Sequence, residues 1–181
     1  KVESTTEETT PTEEGEEEGM SNMDELQFKL DLIILNNLMV PVSIIEDLKK
    51  EEKSLYHEDY INSLDNVSKY DNEFSQALNF GIYGMDILYN AAHDHTAEIV
   101  DYKEKTLPLA EALGLTEVYV DEDMEKFRAV ANDHSALLDY IVEEYDKVDH
   151  FMVENGQHNT LLLSLTGAII ESMYYTGKAI E

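Results

Sequence analysis

The chain has 181 residues, a net charge of −28 at neutral pH and no cysteine. That length supports one domain with a core of its own, and the missing cysteine excludes disulfides and thiol chemistry. The charge repels phosphate backbones and anionic headgroups, which argues against nucleic acid and direct docking on an acidic membrane and favours cations or a basic partner.

Lys1 and the eight glutamates from Glu3 to Glu18 carry −7 of that charge, leaving −21 for the rest. The opening stretch is Glu, Thr, Gly and Pro with one aliphatic residue, too little apolar surface to offset its ordering entropy. Residues 1–20 are therefore expected to be a disordered acidic tether and residues 21–181 one helical domain. For the remaining charge, the plainest reading is solubility in a saline or cold habitat.

Ser21 or Asn22 can cap a first helix over Met23 to Met39, with Leu26, Leu30, Ile33, Ile34 and Leu38 on one face. Pro41 stops it. Ser43-Ile-Ile-Glu46 is a capping box that opens a short helix ending in the charged run Lys49 to Lys53. Tyr56 to Asn66 reads as a loop with one helical turn.

A central helix is predicted over Val67 to Ala92. Tyr70, Phe74, Ala77, Leu78, Gly81, Met85, Leu88, Tyr89 and Ala92 step by three or four along one stripe. Gly81 and Gly84 each cost about 1 kcal/mol in a helix relative to alanine, which points to another backbone passing close. The His93-Asp94-His95 turn, with Asp94 as cap, leads to a helix over Thr96 to Leu113. Its inward residues are Ile99, Tyr102, Thr106, Leu109 and Leu113. Pro108 is expected to kink or split it, and Gly114 to close it in the left-handed conformation.

Asp121 caps a helix through Phe127 and Ala131. Ser135 to Glu154 follows, with Leu138, Ile141, Val142, Tyr145, Val148 and Met152 inward and Gly156 as terminator. The last helix, Asn159 to Gly177, is apolar almost all round and reads as a second buried helix. Its most apolar run, Leu161 to Ile170, is shorter than the roughly 20 residues of a membrane span. No window alternates as a strand does. The fold class is all-α: a single-domain antiparallel bundle of six to seven helices.

Chemistry is scarce. No serine sits in a nucleophile elbow, and Gly81-x-x-Gly84 lacks the lysine of a phosphate-binding loop. A di-iron bundle needs Glu-x-x-His on two helices, yet the residues three before the six histidines are Ser54, Asn90, Ala92, Ala131, Lys147 and Asn155. No metal and no cofactor is expected.

Asp86 and Glu171 stand out as acids on apolar helices, where a carboxylate must be paired, hydrogen-bonded or protonated. Asp86-Ile-Leu-Tyr89 and Glu171-Ser-Met-Tyr174 echo each other, each with a glycine upstream, at Gly81 and Gly167. The tyrosine three residues on lies on the same face and can donate to the acid. Asp86, Tyr83, Tyr89, Glu171 and Tyr174 form the candidate ligand-binding set. One reading is a fixed helix register; the other is a pocket for a cation, amine or polyol.

The run Asn79-Phe-Gly-Ile-Tyr-Gly-Met-Asp86-Ile-Leu-Tyr89 resembles the L-G-V-Y-G-x-D-L-x-Y signature of an uncharacterised family of small all-helical lipoproteins of Bacteroidetes. Pro41-Val-Ser-Ile-Ile-Glu46 is similar to the family's P-x-x-I-x-x-L opening, and Asp65-Asn-Val-Ser-Lys-Tyr70 sits at the expected distance before the signature. Leu109-Ala-Glu-Ala-Leu-Gly-Leu115 resembles its L-A-x-x-L-G-I segment. Gly167-Ala-Ile-Ile-Glu171-Ser-Met-Tyr174 resembles its G-G-W-x-E-x-x-Y ending, with Ala and Ile in place of the second Gly and the Trp.

The resemblance implies a lipid-anchored protein of the cell envelope, in the periplasm or at the outer-membrane surface. Its signal peptide and anchor cysteine would precede Lys1, and the acidic tether would be the spacer. The functional expectation is a non-enzymatic, envelope-tethered helical domain that binds a protein partner or ligand. The alternative is a small-ligand or cation-binding protein built on Asp86 and Glu171. A Glu-specific protease should trim residues 1–20 and leave a resistant domain beginning near Ser21. Cleavage spread evenly along the chain would contradict the division into tether and domain.

Overall fold

The computed structural model describes Lys29, Ser43, residues 56–118 and residues 122–180. The tether, the helix over Met23 to Met39, the capping box and the Asp121 cap lie outside the described residues, except that Lys29 and Ser43 are both helical. Two 3-10 turns, Glu58–Tyr60 and Leu64–Lys69, precede five α-helices. These are α1 (Glu73–Ala92), α2 (Thr96–Ala112), α3 (Glu122–Val130), α4 (His134–Glu154) and α5 (His158–Ile180). There is no strand among the described residues, and the fold is an all-α bundle.

Helix α1 begins at Glu73 rather than Val67 because Asn72 caps it. The Asn72 side chain accepts the Ser75 N–H at 3.0 Å, and the Ser75 hydroxyl donates back to the Asn72 carbonyl, satisfying groups that the first turn leaves open. Two expected stripe residues therefore fall elsewhere. Tyr70 precedes the cap and packs with Val67, Tyr83, Tyr102 and Leu109, while Phe74 is 60% exposed.

Ile99, Tyr102, Thr106, Leu109 and Leu113 are buried as expected. Helix α2 runs through Pro108 without being split. Gly114 and Gly156 have φ of 75° and 71°, the left-handed conformation that ends a helix. Asp94 does not cap α2. His95 occupies that position without a side-chain bond, and Asp94, at φ 62°, puts Oδ1 2.5 Å from Nδ1 of His134 at the start of α4.

Helices joined by short turns, α1 with α2 and α4 with α5, form antiparallel hairpins. The pair at the centre, α1 and α5, runs parallel. Thr160 donates to Glu73 (3.1 Å), Ser164 to the Ala77 carbonyl (3.0 Å) and Tyr175 to Asp86, so residue numbers rise together along both helices. A Cβ on Gly81 would overlap the Ser164 carbonyl, and one on Gly167 would overlap the Leu78 carbonyl. The two backbones touch there. Gly84 in turn makes room for the Tyr145 ring.

Close approach sets which face of α5 turns inward. Ser164, Gly167, Ala168, Glu171, Ser172 and Tyr175 are buried, while Leu162, Ile170, Met173 and Tyr174 are exposed. The helix is not buried all round. Around the crossing with α1 small and polar residues face the core, joined by Leu161 and Tyr175, while several large apolar residues face out. Elsewhere α2 meets α4 through Lys103 and Glu144, a buried pair at 3.4 Å that Lys147 joins at 2.7 Å.

Gly81→Ala should lower stability by about 2–3 kcal/mol, since backbone cannot yield as a side chain can. Gly177 lies on the same helix with open space where a Cβ would go, so Gly177→Ala should raise stability by about 0.5–1 kcal/mol. Urea denaturation of both variants checks the pair. An unchanged midpoint for Gly81→Ala would contradict the close crossing.

Candidate functional site

Asp86 lies on α1 where the helix meets α5, and it is 0% exposed. Its Oδ1 accepts from the Tyr175 hydroxyl of α5 and from the Asn62 side-chain amide (3.3 Å). Its Oδ2 accepts the Asn62 backbone N–H at 3.2 Å. Asn62 sits between the two 3-10 turns, in a segment with no regular backbone partners of its own. Side chains of α1 and α2 supply them instead.

The Tyr102 hydroxyl donates to the Asn62 carbonyl at 2.5 Å, and the Tyr83 hydroxyl to the Ser63 carbonyl at 2.8 Å. The His57 N–H donates to the Tyr89 hydroxyl at 3.2 Å. Tyr56 donates to the Asn90 side chain at 3.0 Å, which itself donates to the Asp86 carbonyl at 2.9 Å. Residues 56–63 thus form a strap lashed across α1 and α2 largely by tyrosine hydroxyls.

Glu171, 8% exposed, shares the Asn62 side-chain amide as donor. Burial pushes the Asp86 carboxyl up to about 8. The charge of Glu171 adds to that rise, against the Tyr175 and Asn62 hydrogen bonds, which favour the anion. Burial also lifts Glu171, to about 6, opposed by Asn62. Tyr175 is pushed upward by burial and by Asp86, so it stays a donor. Burial thus favours the protonated form of both carboxyls, more strongly at Asp86 than at Glu171.

Of the candidate residues, Asp86, Glu171, Tyr83 and Tyr89 gather beneath the strap, whereas Tyr174 meets its outer side. It is 40% exposed and stands edge-on to Tyr60 with ring centroids 6.2 Å apart. Neither acid is shown bonded to the tyrosine three residues on. The donor to Asp86 is Tyr175 from the neighbouring helix, whose ring stacks on Tyr89 at 4.4 Å. Asn62, Tyr102, Tyr56 and Asn90 complete the cluster, and none was singled out from sequence. Tyr175 adjoins a candidate and Asn90 lies one turn beyond Asp86, but a loop asparagine that meets α1 24 positions later leaves no periodic trace.

Chemically the arrangement binds a proton, and its acceptors are filled by donors of the same chain. Two cavities of about 40 Å³ open elsewhere. One lies beside Gly84, Lys103, Thr106 and Glu144, and the other beside Gly81, Tyr145, Met152 and Ser164. Each has room for a water or two. Neither is lined by Asp86 or Glu171. Among the described residues no three His, Asp or Glu side chains are placed to hold a metal ion, and no helix is long and apolar enough to cross a membrane.

Comparison with known proteins finds no match to a family model, a curated protein or a solved structure.

Both carboxyls have folded-state pKa values above their unfolded ones. The stability they contribute is therefore full below about pH 4 and is lost as pH rises through about 6 for Glu171 and about 8 for Asp86. Asp86→Asn should cost about 1–3 kcal/mol at pH 5, where an amide N–H₂ meets the donors that faced the carboxyl. It should also flatten the fall in stability between pH 6 and 9. Melts across that range test this, and equal slopes in the two proteins would remove Asp86 as the titrating group.

Proposed function

We propose that this chain is a non-enzymatic helical module, tethered at the cell envelope as its resemblance to helical lipoproteins implies, that engages a basic protein partner through its acidic outer surface. One observation carries the reading. The only pair of carboxyls singled out for chemistry is sealed in the core and bonded to the chain's own Asn62 and Tyr175. A substrate or small ligand would have to displace the strap to reach them.

Contact then falls to the surface, and charge says what suits it. Asp139, Glu143, Asp146 and Glu154 follow one another at helical spacing along the exposed side of α4, and only Glu143 is drawn to lysines, Lys126 at 2.9 Å and Lys147 at 3.8 Å. Such a stripe speeds encounter with a basic surface and repels nucleic acid and anionic lipid. The alternative, a cation- or amine-binding protein built on Asp86 and Glu171, requires the strap to open.

Thermal shift of the full chain separates the two. A lysine-rich peptide should raise the melting temperature at low salt and lose that effect as ionic strength rises. Magnesium, calcium, putrescine and glycerol should produce no shift that depends on Asp86. A small amine or cation that stabilises the native chain but not Asp86→Asn would overturn the proposal in favour of the alternative.

A further inference from the structure

The cavity beside Gly81, between α1, α4 and α5, has a buried acid of its own. Asp149 of α4 is 2% exposed and lines this space of about 40 Å³. Ser164 of α5, Tyr145 and Met152 of α4 and Phe80 of α1 share the wall with it. Nothing in the periodicity of α4 sets Asp149 apart from the exposed acids on the same helix; only the packing of α4 against the central pair encloses it.

The Asp149 and Ser164 groups face an occupant as acceptors. The Ser164 hydroxyl gives its proton to the Ala77 carbonyl at 3.0 Å, so its lone pairs are what it offers to another group. Asp149 as a carboxylate has no proton to donate, and its roughly four lone-pair sites serve a contact within the chain and a donor in the cavity together. Phe80 and Tyr145 add aromatic rings, whose faces attract positive charge, and Met152 adds a polarisable sulfur.

An occupant with several N–H donors, no acceptor of its own and a positive charge suits all of these groups at once. Water brings two donors but also an oxygen that wants donors in return. An ammonium brings donors alone. The net charge of −28 concentrates cations around the chain. Volume sets the size: space for a water or two admits ammonium or methylammonium and excludes a quaternary ammonium. A divalent metal suits the cavity poorly, because among the described residues no three His, Asp or Glu side chains are placed to hold one. Phe80, Tyr145 and Leu165 are half-buried, so the wall reaches the surface at side chains that can move aside for entry.

We propose that the cavity beside Asp149 and Ser164 is a binding site for ammonium or the smallest primary amines. Bound there, the cation bridges α4 and α5 and tightens the seat of α4 on the central pair. The inference is independent of a basic partner, which meets the exposed side of α4, and of Asp86, which does not line this cavity.

The test titrates ¹³C-labelled methylammonium into the full chain at neutral pH, with sodium replaced ion for ion so that ionic strength stays constant. The expected result is a saturable upfield shift of the methyl signal, caused by the neighbouring rings and reversed by added ammonium. Tetramethylammonium, too large for the cavity, should show no such shift of its own. Asp149→Asn should weaken binding by about tenfold or more, as a charge-assisted hydrogen bond is lost, whereas Asp86→Asn should leave it unchanged. If Asp149→Asn fails to fold, the native chain still decides. A shift shared by tetramethylammonium would mean cations gathered at the surface by charge alone, and absence of a saturable shift would mean a cavity that holds water only. Either result overturns the proposal, as does undiminished binding by a folded Asp149→Asn.

Discussion

Contact between two backbones governs this fold. At Gly81 and Gly167 the helices α1 and α5 approach until each glycine lies against the other helix's carbonyl, Ser164 in one case and Leu78 in the other. Two helices separated by the ordinary layer of side chains could not place Tyr175 on Asp86 or Ser164 on the Ala77 carbonyl. The parallel course of the pair follows from the same contact, since both glycines belong to one register and the bonds above and below keep it. Everything the centre of the molecule does with polar groups depends on that spacing.

The polar groups form a single connected problem. The strap has one short 3-10 turn of its own and lies half-buried over α1 and α2, and several of its remaining N–H and carbonyl groups take partners from side chains. Tyrosine suits this task because its ring adds apolar burial while its hydroxyl reaches a backbone carbonyl. Tyr83 and Tyr102 do so for two successive carbonyls. A carboxylate is needed where the strap presents N–H groups instead, and Asp86 takes both the backbone and the side-chain N–H of Asn62. The elevated proton affinity of Asp86 is the cost of placing an acceptor of that strength where no cation accompanies it.

Much of the fold was legible because helical periodicity reports burial directly. Ile99 to Leu109, Leu138 to Met152 and the left-handed glycines at 114 and 156 were readable in this way. The start of α1 was not, because Tyr70 and Phe74 continue the apolar spacing beyond the true cap. Asn72, with Ser75 three residues on, was the stronger signal, as a satisfied N-cap fixes a boundary whereas one more apolar residue does not. Asp94 misled in the opposite way: an acid before a helix suggests a cap, but here it reaches His134 on α4. For the site, Asp86 and Glu171 were visible as anomalies of composition, since charge on an apolar helix demands explanation. Their partner Asn62 was invisible, because pairing between a loop and a distant helix follows from the assembled shape and from no local pattern.

The last helix shows why apolar content alone does not say which face is buried. On α5 Ser164, Gly167, Ala168 and Ser172 pack inward beside Leu161 and Tyr175, while Leu162, Ile170, Met173 and Tyr174 are left outside. Area burial by itself would favour the opposite orientation, at about 25 cal/mol per Å² of apolar surface. Turning Met173 and Ile170 inward would, however, push α1 and α5 apart by the thickness of a side-chain layer. The Ser164 and Tyr175 bonds would be lost, leaving the Asp86 carboxyl without its α5 donor in the core. The inward face is therefore chosen by what the polar network requires of the interhelical distance. The apolar residues displaced to the outside are the consequence.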